Sequence, residues 1–241
     1  MEENLDLYMA RTKASMEKEQ QMIERELLME NHLKEAQLKY LQSQINPHFL
    51  FNSLNAGAQL AMMEDAEQTG IFVEKMADFF RYNVKKGQED ATLGEELEAV
   101  DNYIYILNVR FAGDIHFSKD VDESLENVRV PSMILQPIVE NAVNHGIRDI
   151  EWEGKIHLTV TGDADYIRIS VKDNGKGMTP EQIEGVLSGN KEYRKEEGDS
   201  TGIGMNNVIS RLELYYEEKG LVEIRSDGLD KGTEVIVYIP V

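Results

Sequence analysis

A histidine directly after a proline is one group in this 241-residue sequence that could do covalent chemistry. Pro47, His48 and Phe49 follow a long polar region, and Asn52 lies one helical turn after the histidine, on the same helix face. A neutral imidazole near pH 7 is a competent nucleophile. A single histidine among aromatic residues is more often a packed side chain, so this segment alone leaves both interpretations open.

Two glycine-containing segments are typical of sites where a ligand contacts the backbone. Asp173, Gly175 and Gly177 follow a predicted strand, so the carboxylate would stand at the sheet edge beside two residues that permit close approach. Gly202 and Gly204 precede a predicted helix, whose N-terminal N–H groups favour an anion such as phosphate. An ordinary Asp-Asn-Gly turn and a flexible loop that closes into a helix N-cap are the simpler alternatives.

Polar side chains also interrupt an apolar helix predicted over residues 131–147. Glu140, Asn141 and Asn144 occupy neighbouring positions there, and polar groups on a buried helix are costly unless they are satisfied. A carboxamide oxygen is a suitable hard ligand for Mg²⁺. Capping of the helix end by Asn144 and Gly146 is the simpler alternative, but it explains Asn141 poorly.

Periodicity and the positions of Pro and Gly predict the elements that must hold these groups. Residues 1–45 contain neither Pro nor Gly and predict one long helix, with a coiled-coil pattern strongest from Leu38 onward and a kink at Pro47. After the kink, helical periodicity resumes and continues to about residue 63. Further helices are predicted over residues 66–86, 92–111, 131–147 and 205–219. Strands are predicted over residues 115–121, 155–161, 166–173, 222–226 and 234–239. Residues 185–201 predict a long loop.

These elements predict an α+β fold. A coiled coil and a helical hairpin would be followed by an α/β sandwich with its helices on one face of the sheet. The hairpin would be the pair of helices that ends at residues 63 and 86.

The composition excludes several classes of protein. The chain has 25 Lys and Arg against 45 Asp and Glu, a formal net charge of −20, and this opposes a large nucleic-acid surface because phosphate binding depends on clustered Lys and Arg. The absence of cysteine excludes disulfides, thiolate metal sites and thiol nucleophiles. The sequence has no apolar run near the roughly 18 residues of a membrane span, and its first residues lack the pattern of a signal peptide. A soluble, acidic chain is expected.

The order of these motifs resembles that in the GHKL ATPases. The matching positions are Asn141, Asp173-x-Gly175-x-Gly177, Gly202-x-Gly204 and Gly232-Thr233. Upstream, the chain resembles LytS-type sensor histidine kinases, most closely at their phosphoacceptor signature. That signature corresponds here to Gln44-Ile45-Asn46-Pro47-His48-Phe49-Leu50-Phe51-Asn52-Ser53-Leu54-Asn55. The stretch from Leu93 to Phe111, with Glu95-Glu96-Leu97, Tyr103 and Arg110-Phe111, is similar to the same family.

The resemblance implies a role for each residue. His48 would accept the γ-phosphoryl group of ATP, and Asn141 would hold the Mg²⁺ that bridges the phosphates, with Asn144 and His145 as supporting contacts. Asp173 would accept a hydrogen bond from the adenine amino group. Gly175, Gly177 and Thr233 would form the adenine pocket. Gly202 and Gly204 would bring backbone N–H groups to the phosphates. Residues 185–201 would be the ATP lid.

The same resemblance implies an organisation and partners. Residues 1–37 would be a signal-transmitting coiled-coil helix, residues 38–112 the dimerisation and histidine phosphotransfer helices, and residues 113–241 the GHKL ATP-binding catalytic domain. A homodimer would form a four-helix bundle and pass phosphate to an aspartate on a response-regulator receiver domain. The chain would be the cytoplasmic portion of an inner- or plasma-membrane sensor, joined to the membrane only through segments missing from it.

Two positions depart from the family pattern. Phe49 stands where many histidine kinases place an acidic residue that takes the histidine proton, and Pro137 stands where related ATPases have a Glu. Glu140 is the nearest carboxylate and the candidate for proton transfer, and Asn52 is the candidate for removing phosphate from the partner.

Two other functions stay open at this point. The first is a GHKL module of another kind, such as an ATP-driven clamp or a serine kinase, and the segment from Asn46 to Phe49 argues against it. The second is a coiled-coil scaffold with a degenerate ATPase domain, and the intact Asn141, Asp173 and glycine segments argue against it.

Overall fold

A computed structural model of the chain describes residues 47–85, 90–111, 113, 115–148, 150–188 and 201–241. The predicted coiled coil, the chain before the predicted kink and residues 189–200 of the predicted loop lie outside these described residues. The chain divides into units at residues 50 and 51, so residues 47–50 are described only as the first turn of a helix. None of the described helices is both long enough and apolar enough to cross a membrane.

The described helices are α1 (Pro47–Met63), α2 (Glu67–Lys85), α3 (Leu93–Arg110), α4 (Leu135–Asn141), α5 (Pro180–Ser188) and α6 (Thr201–Tyr216). The described strands are β1 (Asp90–Thr92), β2 (Ile115–Val121), β3 (Arg129–Pro131), β4 (Gly154–Gly162), β5 (Tyr166–Asp173), β6 (Val222–Arg225) and β7 (Glu234–Pro240). A 3₁₀ turn covers Glu123–Leu125, and a π-helical segment, Ala142–Ile147, continues α4.

Five of the described strands form one mixed sheet in the order β2-β4-β5-β7-β6. β2 and β4 are parallel, and each of the other neighbouring pairs is antiparallel. Ile167, Ile169 and Val171 of β5 are buried on one face, whereas the alternate Arg168 and Lys172 lie on the opposite face. One face of the sheet is therefore packed in the core, and the other carries charged side chains on β5.

Helices α3, α4 and α6 cover the apolar face. Val100, Ile138 and Leu212, one from each helix, are almost completely buried and belong to one core cluster with the strand residues. Burial of an aliphatic side chain of this kind contributes roughly 1.5–3 kcal/mol. The predicted α/β sandwich with its helices on one face is confirmed.

Helices α1 and α2 form the predicted hairpin. The turn between them places Asp65 in the left-handed region at φ 55°, and the Ala66 N–H donates to the Ala61 carbonyl at 2.8 Å. Across the hairpin, the side chain of Met62 packs directly against the backbone of Gly70. The predicted pair of helices joined by a short turn is therefore confirmed.

The predicted helix over residues 131–147 begins too early, because Pro131 ends β3 and pairs with Asp90 of β1. Met133 then adopts a left-handed conformation at φ 59°, which a helix cannot accommodate. The α-helix begins only at Leu135, and after Asn141 it widens into the π-helical segment.

The predicted loop over residues 185–201 is also too long. Residues up to Ser188 belong to α5, and α6 already begins at Thr201. Thr179 and Gln182 exchange side-chain to backbone hydrogen bonds of 2.8 and 3.3 Å at the start of α5, with Pro180 as the first helical residue. This start signal is visible in the sequence, and the prediction overlooked it.

Replacing Thr92 by alanine is expected to lower the free energy of unfolding by about 1 kcal/mol, because it removes the N-cap of α3. Thr92 Oγ1 accepts from the Glu95 N–H at 3.2 Å, and Glu95 Oε2 accepts from the Thr92 N–H at 2.9 Å. Denaturant unfolding followed by circular dichroism measures the difference. Thr92→Ser retains the hydroxyl and is the control; equal stability of the two variants would contradict the capping role.

Candidate functional site

Asp173 is a buried carboxylate at the end of β5. Its side chain is only 6% exposed, and its Oδ1 accepts from the N–H groups of Gly175 at 2.8 Å and Thr233 at 3.3 Å. Burial raises the pKa of Asp173, and these two hydrogen bonds oppose the rise. The carboxylate is therefore held in one orientation at the sheet end.

The glycines around Asp173 allow two backbone segments to touch. A Cβ on Gly175 would lie 2.1 Å from the carbonyl group of Gly146, and a Cβ on Gly146 would lie 2.8 Å from Asp173 Oδ1. The Lys176 N–H donates to the Gly146 carbonyl at 3.0 Å. Gly177 has φ 66°, and a Cβ there would lie 2.1 Å from the Gly228 carbonyl oxygen. The close approach predicted at Gly175 and Gly177 is thus made by the protein's own backbone.

Asn141 is the last residue of α4, and the helix widens immediately after it. The Arg148 N–H donates to the Val143 carbonyl at 3.0 Å, a π-type bond, and π-helical turns occur frequently at functional sites. Asn141 Nδ2 is buried and has no hydrogen-bond partner among the described residues. A buried N–H donor without a partner is costly, so Asn141 Nδ2 is suited to an acceptor atom on a ligand.

The predicted phosphate-facing segment lies beside Asn141. Gly202 and Gly204 fall in the first turn of α6, where backbone N–H groups have no partner within the helix. Asn141 Nδ2 is 4.0 Å from the position that a Cβ on Gly204 would occupy. The fold therefore brings the amide and the helix N-terminus together.

The neighbours of Asn141 are tied to α3. Gln136 Nε2 donates to Glu140 Oε1 at 2.7 Å. Burial raises the pKa of Tyr103, and the charge of Glu140 adds to the rise, whereas a hydrogen bond with Asn144 lowers it. Tyr103 of α3 thus interacts with the residues on both sides of Asn141, through the charge of Glu140 and a hydrogen bond with Asn144. The last residue predicted here, His145, lies half-buried in the π-helical segment.

The remaining predicted residues lie on α1. His48 is in its first turn and Asn52 one turn later, and both side chains are exposed. His48 belongs to the unit that ends at residue 50, and is described apart from the site in residues 51–241.

Two buried groups next to the site received no role from the sequence. Glu96 of α3 is fully buried and accepts from the N–H groups of Ile134 at 2.9 Å and Leu135 at 2.8 Å, at the start of α4. The sequence pattern that could have identified Glu96 is an acidic residue within the apolar stripe of a helix. Gly146 is the other: the sequence suggested for it only the capping of a helix end, and the packed fold shows why that position must be glycine.

Two family models cover most of the chain. Residues 36–115 match the model described as histidine kinase, and residues 128–241 match the model described as histidine kinase-, DNA gyrase B-, and HSP90-like ATPase.

Full-length relatives carry the same similarity. Sensor histidine kinase YpdA of Escherichia coli (strain K12) is 38% identical over 211 residues, which are 85% of this chain and 34% of that protein. Sensor protein LytS of Bacillus subtilis (strain 168) is 32% identical over 209 residues, 86% of this chain and 34% of that protein. The chain spans about a third of the length of these curated relatives.

Asp173→Asn is expected to raise the free energy of unfolding at pH 7.5. The amide oxygen can still accept from Gly175 and Thr233, and no buried charge remains. An aspartate whose pKa is raised on folding stabilises the folded state fully only below its unfolded pKa of about 3.9, and this stability is lost as the pH rises through the folded value.

The stability gain of Asp173→Asn should therefore shrink as the pH is lowered from 7.5 towards 4. Urea unfolding at several pH values measures it, with the exposed Asp227→Asn as control. A stability gain that is independent of pH would show that the buried charge of Asp173 is not its cause.

Proposed function

The chain belongs to the histidine kinase family, and from that premise we propose that it is the kinase portion of a two-component sensor, which transfers the γ-phosphoryl group of ATP to its own His48. The observation that carries this proposal is the unpartnered Asn141 amide beside the first turn of α6. Phosphoryl transfer depends mainly on alignment and neutralisation of charge, and these are the tasks to which the two groups are suited.

The end of β5 is suited to an adenine ring. A carboxylate has about four acceptor sites on its two oxygens, and both backbone bonds to Asp173 end on Oδ1. Asp173 Oδ2 would accept from the adenine amino group, while Gly175, Gly177 and Thr233 would line the same pocket. Because backbone groups fix the carboxylate, adenine binding would need no rearrangement of Asp173.

The Asn141 segment is suited to the phosphates and a magnesium ion. The described residues contain no cluster of three or more His, Asp or Glu side chains that could hold a metal, and Mg²⁺ in proteins commonly takes few protein ligands together with substrate phosphates. Asn141 would be the protein ligand through its amide oxygen, while its Nδ2 would donate to a phosphate oxygen. Asn144 and His145 would be supporting contacts, and bound Mg²⁺ would neutralise phosphate charge. The N–H groups at Gly202 and Gly204 would bind phosphate oxygens.

His48 would supply the nucleophile, because its side chain is exposed and a neutral imidazole carries a lone pair on one ring nitrogen. Phe49 follows it, so the proton that His48 loses would go elsewhere. Glu140 is the candidate acceptor, since its Oε1 is oriented by Gln136 at 2.7 Å. Asn52, one helical turn after His48, would assist the removal of phosphate from the partner.

The helical hairpin would form half of a homodimeric four-helix bundle. Leu60, Met62 and Met63 of α1 are 56%, 45% and 82% exposed in the single chain, which supports a covering helix from a second chain. The domain limits would be residues 1–37, 38–112 and 113–241, with residues 189–200 as part of an ATP lid. The partner would be a response-regulator receiver domain, and membrane attachment would come from segments outside this chain.

Incubation of the chain with γ-labelled ATP and Mg²⁺ is expected to give an acid-labile, base-stable label, as phosphohistidine requires. His48→Gln should reduce this label to background, because glutamine has no nucleophilic nitrogen. Autoradiography after acid and base treatment measures it.

His116→Gln is the control, because His116 is an exposed histidine on β2 that pairs with Glu153. An acid-stable label, or a label retained in His48→Gln, would reject the proposal. Asn141→Ala should lose both the label and the Mg²⁺-dependent part of nucleotide binding.

Asn52→Ala is expected to slow dephosphorylation of a receiver domain that the wild-type chain phosphorylates, while autophosphorylation persists. The carboxamide would position the attacking water, and alanine has no such group. The decay of labelled receiver domain after addition of each variant measures the rate. Asn55→Ala is the control, because Asn55 is an exposed asparagine on the same helix. Unchanged decay with Asn52→Ala would contradict the role proposed for Asn52 in removing phosphate.

A further inference from the structure

Glu96 is a fully buried carboxylate that four donors surround. Its Oε2 accepts from the N–H groups of Ile134 and Leu135 at 2.9 and 2.8 Å. Its Oε1 accepts from the Met133 N–H and from the hydroxyl of Tyr82. The roughly four acceptor sites of a carboxylate are therefore all used, by residues from two other elements of the chain.

These bonds determine where α4 begins. The first N–H groups of a helix have no partner within the helix, and Ile134 at the N-cap position provides no side-chain bond. Glu96 supplies the acceptor from α3, and its negative charge is favourable at a helix N-terminus. Since α4 has only 7 residues and ends at Asn141, anything that moves its first turn also moves the Asn141 amide.

Through residues of α3, helix α2 is linked to both ends of α4. At the start of α4, Tyr82 of α2 binds Glu96 directly. Beyond the end of α4, the ring of Phe79 stacks on Tyr103 with centroids 5.9 Å apart and an interplanar angle of 22°. Tyr103 is in turn hydrogen-bonded with Asn144. Two chains of contact thus lead from α2 to the residues that flank Asn141.

We infer that Glu96 is a positioning residue for the nucleotide site, and that the hydroxyl of Tyr82 makes the position of Asn141 depend on α2. This inference rests on the proposed function, because it requires Asn141 to take part in binding of the magnesium nucleotide. A shift of α2 would withdraw one donor from Glu96 and loosen the first turn of α4. The helical hairpin could then change nucleotide binding within a single chain.

The protonation states agree with this arrangement. Burial raises the pKa of Tyr82, and the charge of Glu96 adds to the rise, so the phenol keeps the proton that it donates. Burial also raises the pKa of Glu96, and the hydrogen bonds from Tyr82 and from the three backbone N–H groups oppose the rise. Removing the Tyr82 hydroxyl therefore takes away a bond that helps to hold the carboxylate ionised.

Tyr82→Phe in the full chain is expected to reduce the gain in ATP affinity that Mg²⁺ provides by about fivefold, the lower range of energetic coupling between sites. ATP binding in EDTA should be unchanged, because Asp173, β5 and the first turn of α6 stay in place. Isothermal titration with MgATP and with ATP in EDTA gives both dissociation constants. Tyr105→Phe, a half-buried tyrosine on α3, is the control, and a Tyr82→Phe ratio equal to that of this control would overturn the role of Tyr82.

Glu96→Gln should have a larger effect, roughly tenfold or more. The amide turns one acceptor oxygen into a donor that faces one or two backbone N–H groups, so the bonds from those N–H groups are lost. Hydrogen exchange at the amides of residues 133–135 should accelerate in the same variant. The control is the exposed Glu98→Gln on the same helix; wild-type exchange and a wild-type affinity ratio in Glu96→Gln would overturn the positioning role.

Asn141→Ala separates this inference from the proposed function. If Asn141→Ala abolishes the gain from Mg²⁺ while Tyr82→Phe and Glu96→Gln retain it, the inference is wrong and the proposed function stands. If the wild type gains nothing from Mg²⁺, or if Asn141→Ala retains the gain, the role proposed for Asn141 is wrong, and the inference is overturned with it.

Discussion

The contact between the backbones of Gly146 and Gly175 is the constraint on which the rest of the site depends. It joins the end of the helical layer to the end of β5, and the Lys176 N–H completes it by donating to the Gly146 carbonyl at 3.0 Å. A Cβ on Gly175 would lie 2.1 Å from that carbonyl group, so only glycine lets the two layers meet at this separation. Asp173 lies on the strand side of the contact and Asn141 on the helix side. The relative position of these two residues, which are proposed to bind adenine and the metal ion, is thereby set by backbone atoms, which have little freedom to move.

A net charge of −20 would oppose an anionic ligand if charge were spread evenly, but two acidic groups near the site are buried and stabilised by hydrogen bonds. Asp173 and Glu96 are both buried, and each accepts hydrogen bonds from backbone N–H groups. Other acidic groups form ion pairs on the outer face of the sheet, such as Glu234 with Arg168 at 2.9 Å. The groups that would meet phosphate are a helix N-terminus and an amide, so binding would not require a basic surface.

The sequence-based predictions were most accurate where residues close together in the chain decide the structure. The bounds of β2 and β5 were predicted to the residue, because alternation of apolar side chains is a local signal. The bounds of α3 were predicted to within one residue, and its capping residues Thr92 and Glu95 are only three positions apart. The start of α4 was wrong because it is decided by a carboxylate nearly forty positions earlier in the chain, which bonds to Ile134 and Leu135. The helix α5 was missed although its capping residues are local, and that error belongs to the prediction alone.

The sequence by itself determined the types of element, the fold class, the family and the set of residues with suitable chemistry. Only the tertiary structure decided which of them meet, namely Asn141 with the first turn of α6, Asp173 with Thr233 sixty positions later, and Glu96 with both α2 and α4. The physical reason is that periodicity determines which face of an element is buried but leaves open the partner that covers it. A buried polar group reveals its partner only when both are packed, because its free energy depends on hydrogen bonds that no local pattern specifies.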